Sequence, residues 1–428
     1  MNKGRLLAFR SLQRSAEAGA YANLELDATL RDASLSPEDR ALYGQLYLGV
    51  VEKKITLDYL ISRVSSEPLH TMDKRALCLL EMGAYQILYL DRIPDHAAIF
   101  EAGEIAKRHC RSRTGLINAV LRRISAEKET LPELLKIPGK KGLALRYGYP
   151  RYLVGIWQEA YGRERCERIL EAQNHKAALT LRVNTLKIGL SDYCKRLEEE
   201  GIPHHVNPLC RNGVTVERGG NPTGLPGFSE GLFFVQDAAA AHAVDRLEAS
   251  VGDRVLDLCA APGGKSFGAA MDMNGQGEIV SAELHPGRLR LIREGAERLG
   301  LACIRCRTGD SSVPLSEDRE AFDRVICDVP CSGWGVIAKK PDIRHKAKEE
   351  SEGLPALQYA ILEAGAAALK RGGRLVYSTC TLNPKENEEV TDRFLSLHPE
   401  FVRHGEKETV FPVGGENDGF FCDCLEKL

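Results

Sequence analysis

The sequence predicts an α/β protein built on a doubly wound, mostly parallel sheet, with an all-helical domain before it and a small α/β insert between the two. Three observations carry this expectation. Apolar positions in residues 1–128 recur at helical spacing with no strand-like alternation. Short apolar runs alternate with helical patterns from residue 233 onward. Residues 254–266, RVLDLCAAPGGKS, read as a strand that stops abruptly at small residues and a Gly pair before a helix. The expected divisions are a helical domain over 1–128, a linker over 129–145, the insert over 146–235 and the sheet domain over 236–428.

In the first domain, Ser36, Pro37, Glu38 and Asp39 combine an N-cap, a proline at the first helical position and acids in the first turn. Asp95 can cap a helix that begins after Pro94. Leu79, Leu80, Met82, Ile87 and Leu88 recur at spacings of three and four and belong to a bundle core. The last third of the domain is basic: Lys107, Arg108, Arg111, Arg113, Arg122 and Arg123 lie on or between two predicted helices. From charge alone, phosphate contact and a solvated face fit equally.

Residues 126–145 mix charges, Pro and Gly and suit a linker. A helix containing Trp157 follows, then a strand over 179–184, a charged helix over 191–200 and short strands near His205 and Val214. Residues 233–237 make a strand-to-helix turn. In the sheet domain, strands are expected at 254–258, at 278–282 ending at Glu283, at 303–307 with Gly309 and Asp310 beyond its end, at 323–328, at 374–379 and near Phe420, the last a candidate for an antiparallel end strand. Ligands in such sheets bind at the carboxyl ends of the strands. Asp257, Glu283, Asp310, Asp328 and Cys380 all fall on that edge.

The glycine loop after the first of these strands suits a nucleoside cofactor. Gly263 and Gly264 let backbone approach a ligand, and the start of the next helix offers unpaired N–H groups to a carboxylate or phosphate. About 20 residues further on, Glu283 stands where such folds hold a ribose by its hydroxyls. Gly264, Lys265 and Ser266 reproduce the ending of a phosphate-binding P-loop, but Cys259 occupies a position where that motif needs Gly. The loop is also too short for the nest of amides that wraps a triphosphate. S-adenosylmethionine (SAM) fits it better than ATP.

At 428 residues the chain suggests two or three domains. With 43% apolar and 28% charged residues it has globular composition. No apolar run reaches the roughly 18 residues of a membrane span, and the first residues lack the apolar stretch of a secretory signal, so the expectation is a cytoplasmic protein away from membranes. Thirteen cysteines, an odd number, read as reduced thiols. Cys303 with Cys306 and Cys422 with Cys424 suggest a four-thiolate zinc site, but both pairs lie in strand-like runs without the turn of a metal knuckle, and no metal is expected. A net charge of −2 requires that any nucleic acid be met by a local basic face. No feature points to a stable protein partner.

Two thiols reach the cofactor edge. After the fourth strand the chain reads Asp328-Val329-Pro330-Cys331-Ser332-Gly333, and after the fifth Tyr377-Ser378-Thr379-Cys380-Thr381. Either cysteine alone is most simply a small buried apolar residue. Two of them at strand ends, beside an Asp, a Pro-set turn and a Gly, point to a site. Together, DLCAAPGGKS, DVPCSGWG and YSTCTLNPKENEE resemble the SAM-dependent RNA cytosine-C5 methyltransferases, whose catalytic domain is Rossmann-like. The run GAYQILYLDRIPDHAAIFEAGEIAKR followed by TGLINAVLRRI is similar to the NusB-like RNA-binding domain that opens one group of them, RVNTLK resembles their pre-catalytic region, and NDGFF at 417–421 fits, with Asn417 where the family often has His. The resemblance covers nearly the whole chain and favours the group acting on 16S rRNA of the small subunit.

The resemblance implies covalent catalysis. Cytosine C5 is a poor nucleophile, so a thiolate first adds to C6, giving an enamine whose C5 attacks the methyl of SAM. Cys380 is the implied nucleophile, with access and thiolate character decisive. Asp328 would hold the base near N3 and N4, and Cys331 would help remove the C5 proton and release the product. Cys259, Ala260, Ala261, Pro262, Gly263, Gly264 and Lys265 would hold the methionine part of SAM, Glu283 the ribose and Asp310 the adenine edge, with Asp328 bordering the methyl. Lys265 is open between a cofactor ligand and a group that tunes Asp328. The target base must be unpaired or flipped out. Lys339, Lys340 and Arg344 suit a guide for RNA phosphates or ordinary surface charge. Rival readings are a tRNA cytosine-C5 methyltransferase, a non-catalytic NusB-like RNA-binding or antitermination factor, opposed by the two thiols, and a P-loop NTPase, opposed by Cys259.

Overall fold

Helices carry the first unit of the chain in the computed structural model, which describes residues 2–18, 22–31, 35–217 and 221–428. That unit is Met1–Leu170 with Lys340–Lys346; the second is Glu171–Lys339 with Ala347–Leu428. The helices are α1 (Lys3–Ala18), α2 (Ala22–Leu30), α3 (Pro37–Val64), α4 (Lys74–Tyr89), α5 (Asp95–His109), α6 (Thr114–Ala126), α7 (Gly139–Tyr147) and α8 (Arg151–Ala172), the last running on into the second unit. As expected, α3 begins with the Ser36 side chain accepting the Asp39 N–H at 3.1 Å and with Pro37 inside the first turn. At α5 the cap position is Pro94. Asp95 sits one residue inside the helix, and its carboxylate accepts from Ser125 Oγ at 2.7 Å. Leu79, Leu80, Met82 and Ile87 join Phe9, Tyr43, Tyr47 and Leu121 in one buried core.

The stretch expected as a linker is ordered structure. Residues 129–145 hold a 3-10 turn (Leu131–Leu135) and most of α7. Pro138 and Gly148, with φ +75°, mark the two ends of that short helix, so the Pro and Gly read as linker signals are helix punctuation. Leu143, Ala144 and Leu145 are buried, and Thr56 Oγ donates to the Leu145 carbonyl at 2.6 Å. Residues 340–346 belong to the same unit. Arg344 is 1% exposed; its Nη1 donates to the Glu52 and Tyr147 carbonyls at 3.2 and 3.1 Å, and its guanidinium lies 4.2 Å from the centre of the Tyr149 ring. It is a buried structural arginine, not a guide for phosphates.

The second unit holds two sheets. In the smaller, β1 (Leu179–Val183) is followed by α9 (Leu190–Glu199), β2 (His204–Val206), β3 (Gly213–Val216) and β4 (Phe233–Val235). The strands lie in the order β2-β3-β1-β4, all antiparallel. Tyr193 and Leu197 of α9 pack onto Leu181, Val183, Val214 and Val216.

The larger sheet follows α10 (Ala238–Asp245). Its elements are β5 (Arg254–Asp257), α11 (Gly264–Asp272), β6 (Glu278–Glu283), α12 (Pro286–Leu299), β7 (Ile304–Thr308), β8 (Phe322–Asp328), α13 (Leu354–Ala368), β9 (Leu369–Thr379), α14 (Glu388–Leu397), β10 (Phe401–Arg403), β11 (Glu408–Val410) and β12 (Phe420–Lys427). Strand order is β10-β12-β9-β8-β5-β6-β7, with β11 also on β12. β9, β8, β5, β6 and β7 are parallel, while β10, β11 and β12 are antiparallel additions at one side.

Alternation along each strand builds two apolar layers. Val255, Ile326 and Val376 face α10, α11 and α12 through Ala243, Phe267 and Ile292. Their neighbours Leu256, Val325, Leu375 and Tyr377 face α13 and α14 through Leu362 and Phe394. Each fully buried large side chain contributes about 1.5 to 3 kcal/mol. Cys306 on β7 and the pair Cys422 and Cys424 on β12 are separated by four strands, so the two cysteine pairs do not meet.

A buried arginine fastens the small sheet to the helical layer of the large one. Arg182 of β1, 1% exposed, donates from Nη2 to Asp245 at the end of α10 (2.7 Å) and lies 3.5 Å from Asp272 at the end of α11. Burial already raises the pKa of Asp272. Arg211 Nη2 also meets Asp272 at 2.8 Å and Asp245 at 3.4 Å, so removing Arg182 weakens the compensation of the two carboxylates without abolishing it. Arg182→Ala should therefore lower unfolding free energy by roughly 1 to 3 kcal/mol, read as a shifted urea midpoint.

Candidate active site

The parallel strands deliver Asp257, Glu283 and Asp328 to one edge, each as the last residue of its strand, with Cys380 directly after β9. The glycine loop after β5 turns into α11 at Gly263, where φ is +111° and a Cβ would come 2.4 Å from the Phe267 ring; only glycine fits. Cys259, Ala260, Ala261, Pro262, Gly264, Lys265 and Asp328 line a cavity of about 200 Å³ together with Val235, Gln236, Asp237, Ala240 and Asp257. The structure thus brings the loop and Asp328 together. Glu283 and Asp310 lie outside that cavity. Glu283, 4% exposed, accepts from the His285 N–H at 3.1 Å and from Arg288 Nη1 at 3.3 Å. Asp310 is exposed and lines a separate small cavity beside Leu258 and Ala282; bonds from the Ser312 hydroxyl (2.7 Å) and N–H (2.9 Å) hold its carboxyl below the usual range.

Lys265 is committed to Asp328. Its Nζ donates to Oδ2 at 2.6 Å, Ser378 Oγ donates to Oδ1 at 2.9 Å, and the ammonium sits 5.3 Å from the centre of the Phe420 ring. Burial alone would lower the Lys265 pKa, but the charge and hydrogen bond of Asp328, with Asp257 behind, raise it. Asp257 is fully buried, which pushes its carboxyl up to about 7 despite the bond from Ser266 Oγ at 2.7 Å.

The two thiols are partly buried neighbours, Cys331 Sγ lying 3.3 Å from Cys380 Sγ. The bond to Cys380 and then burial push the Cys331 thiol well above its ordinary range. Buried polar groups fix both thiol loops. Ser332 Oγ lies 2.7 Å from Thr381 Oγ1, the Gly335 N–H donates to the Cys380 carbonyl at 3.0 Å, and the Ser332 N–H and hydroxyl donate to Glu386 at 2.8 and 2.6 Å. Gly335 passes so close to the Gly419 carbonyl that a Cβ would meet it at 1.9 Å.

Several of these groups escape sequence reasoning. Glu386 stands in the acid-rich run NPKENEE, where nothing distinguishes this fully buried acid from its neighbours Glu388 and Glu389. Lys339 is not free for phosphate: its Nζ donates to Asp237 at 2.5 Å and Asp418 at 2.8 Å. Lys340 is exposed. In the basic stretch of the helical unit, Lys107, Arg113 and Arg123 are paired with Glu104, Glu67 and Glu127, whereas Arg108, Arg111 and Arg122 are exposed and form no ion pair among the described residues.

A doubly wound sheet with a glycine loop after its first strand, acids on the carboxyl edge and two facing thiols defines a nucleoside-cofactor-dependent group-transfer enzyme. Comparison with known proteins gives the family. The 16S rRNA methyltransferase RsmB/F family matches residues 244–426, the NusB family residues 2–126, and the ferredoxin-like domain of RsmF/B-like methyltransferases residues 149–222. The chain is 36% identical over 441 residues to the probable ribosomal RNA small subunit methyltransferase B of Bacillus subtilis (strain 168), covering 98% of each. It is 33% identical over 446 residues to the protein so named in Synechocystis, covering 100% of each. A crystal structure of a methyltransferase homologue from Pyrococcus horikoshii is 30% identical with a TM-score of 0.61, covering 68% of this chain and 100% of that one. The chain belongs to the ribosomal RNA small subunit methyltransferase B family and is a methyltransferase. The resemblance read from its motifs is borne out, as are the NusB-like start and the small α/β insert.

The raised carboxyl of Asp257 makes stability depend on pH in a definite sense. A carboxyl lifted from 3.8 to about 7 on folding binds its proton more tightly in the folded state, so its contribution is full below the unfolded value and is lost as pH rises through the folded one. Between about pH 4 and pH 7 the unmodified protein should therefore lose stability relative to Asp257→Asn, by at most about 1.4 kcal/mol per pH unit. Paired urea titrations at pH 5 and pH 8 read the difference; a gap that does not change with pH would show that Asp257 is ionised at both.

Proposed function

We propose that the enzyme transfers the methyl group of SAM to C5 of a cytosine in 16S rRNA, with Cys380 as the nucleophile. The observation that carries this reading is the sulfur pair, 3.3 Å apart on the two loops that follow β8 and β9, next to an Asp328 whose two oxygens are each fixed by a donor. SAM supplies the electrophilic methyl. The residues present fit it: Gly264 leaves the mouth of α11 open, Ala260, Ala261 and Pro262 make a small-residue wall, and the nearly buried Glu283 ends the neighbouring strand, suited to ribose hydroxyls. Asp310, one strand further, suits the adenine edge.

The Cys380 thiolate adds to C6, forming an S–C6 bond while the C5=C6 π electrons shift to C5. Asp328, oriented by Lys265 and Ser378, holds the base at N3 and N4 as that charge develops. After C5 has taken the methyl, its proton leaves to water beside Cys331, or to Cys331 itself once that thiol has passed its own proton to solvent. The C5–H electrons restore C5=C6, and the S–C6 pair returns to Cys380. The largest cause of the raised Cys331 pKa is its bond to Cys380; once Cys380 is bonded to C6 that cause is gone, and Cys331 is free to act on the C5 proton.

The helical unit supplies the RNA grip in this reading, through Arg108, Arg111 and Arg122, the members of the basic stretch not engaged by acids. A 16S rRNA substrate would place the reaction in the cytoplasm, and no helix among the described residues is long and apolar enough to cross a membrane.

Two experiments test the reading. With SAM and unmodified 16S rRNA, Cys380→Ala should abolish methylation and leave no protein–RNA adduct, whereas Cys331→Ala should give a retarded band on a denaturing gel that a second Cys380→Ala change removes. The reverse pattern would exchange the roles of the thiols, and an equal band with tRNA would point to tRNA as the substrate. Replacing Arg108, Arg111 and Arg122 together by Ala should weaken RNA binding and flatten its log–log salt slope by up to about 3, with SAM binding unchanged; an unaltered slope would return the stretch to a solvated face.

A further inference from the structure

Glu386 ends the short turn Pro384–Glu386 between β9 and α14, and its side chain is 0% exposed. No cation meets it among the described residues. It is held by neutral donors instead: Oε1 accepts from Ser332 Oγ (2.6 Å) and Asn383 Nδ2 (2.7 Å), and Oε2 from the Ser332 N–H (2.8 Å) and Gln358 Nε2 (2.9 Å). Its backbone carbonyl accepts from Tyr377 OH at 2.5 Å. A buried carboxylate with every acceptor position facing a donor is costly to assemble and intolerant of change.

Its partners lie on both sides of one thiol. Ser332 follows Cys331 directly. Gln358 of α13, while donating to Glu386, also donates to the carbonyl of Pro330, the residue before Cys331, at 2.9 Å. The Ser332 hydroxyl lies 2.7 Å from Thr381 Oγ1, and Thr381 directly follows Cys380. Glu386 therefore grips the backbone after Cys331 directly and the backbone before it through Gln358 and, through Ser332, ties both to the Cys380 loop. It is fully buried and lines neither cavity at the strand ends.

We propose that Glu386 is a positioning residue that holds Cys331 against Cys380, and that its work falls on release of the methylated base rather than on attack or methyl transfer. The proposal rests on the two-thiol reading above. Cys380 keeps one anchor that the Glu386 carboxylate does not supply, its place directly after β9, and a second on its carbonyl from the Gly335 N–H, three residues beyond the clamped Ser332, so attack on C6 is less affected than release when the clamp is loosened. Cys331 reaches its place through a Pro-set loop whose flanks are gripped by Glu386 and Gln358. A displacement of about 1 Å there is enough to slow a step by as much as 100-fold.

Glu386→Gln turns one acceptor into an NH₂ that faces a donor, with no change in size. With SAM and unmodified 16S rRNA it should transfer the first methyl within about threefold of the unmodified rate, turn over about 10- to 100-fold more slowly, and accumulate the adduct band, which a second Cys380→Ala change removes. Rapid-quench methyl counting reads the first turnover, and SAM titration and a melting curve read the fold. Ser332→Ala, which keeps the backbone N–H bond but loses the hydroxyl, should show the same pattern more weakly and serves if Glu386→Gln does not fold. Adduct from Cys331→Ala but none from Glu386→Gln or Ser332→Ala overturns the positioning role alone. No adduct from Cys331→Ala overturns the two-thiol reading and this inference with it. Equal loss of first turnover, SAM affinity and melting temperature in both clamp variants makes Glu386 a plain structural residue and also overturns the inference.

Discussion

The parallel pairing of β8 with β9 is the constraint on which the site depends. Cys327 lies opposite Tyr377 and Asp328 opposite Ser378, and the ladder continues one residue beyond β8 through the Val329 N–H on the Ser378 carbonyl at 3.1 Å. From that register Cys331 is three residues beyond Asp328 and Cys380 two beyond Ser378, so the two loops leave the sheet side by side. A slip of one residue would send Asp328 to the other face and separate the sulfurs. The apolar layers specify the register: Val325, Cys327, Leu375 and Tyr377 are buried on one face, Ile326 and Val376 on the other. The same pairing supplies Ser378 as a donor to Asp328.

Much of this was legible in the sequence, because it rests on short-range rules. The parallel strands announced themselves as apolar runs of the right length between helical patterns, and strand ends fix where acids and thiols collect. Ser36 and Pro37 marked the start of α3 because a cap is a local arrangement. The glycine loop was legible for the same reason: a helix entered through a residue at positive φ needs Gly263. The motifs then placed Cys331 and Cys380 on neighbouring loops.

What stayed hidden depends on which distant groups meet. Arg344 reads as a surface cation until its guanidinium is seen buried over Tyr149, 195 residues away in the chain. Lys339 looks free until Asp237 and Asp418 close on it, and burial beside a second carboxylate lifts Asp418 to about 7. Asp95 has the composition of a cap, yet the helix starts one residue earlier and the carboxylate serves Ser125 instead. The supposed linker has the composition of one, but Leu143 and Leu145 have an apolar surface to cover. In each case one residue's environment is set by another that sequence spacing does not identify.

The electrostatics of the edge follow from the same closeness. Two thiolates 3.3 Å apart in a partly buried site would repel strongly, so the pair holds a single negative charge at most. Cys331 is pushed well up by Cys380 and burial together. Asp257 behaves alike on a longer scale. Its burial with Asp328 nearby favours the protonated form, so the ammonium of Lys265, which lines the cavity, is left to Asp328, 2.6 Å away. The edge therefore cannot hold the full negative charge of the four acids a sequence would count there, and that reduction is a property of how tightly β5, β8 and β9 hold their ends together.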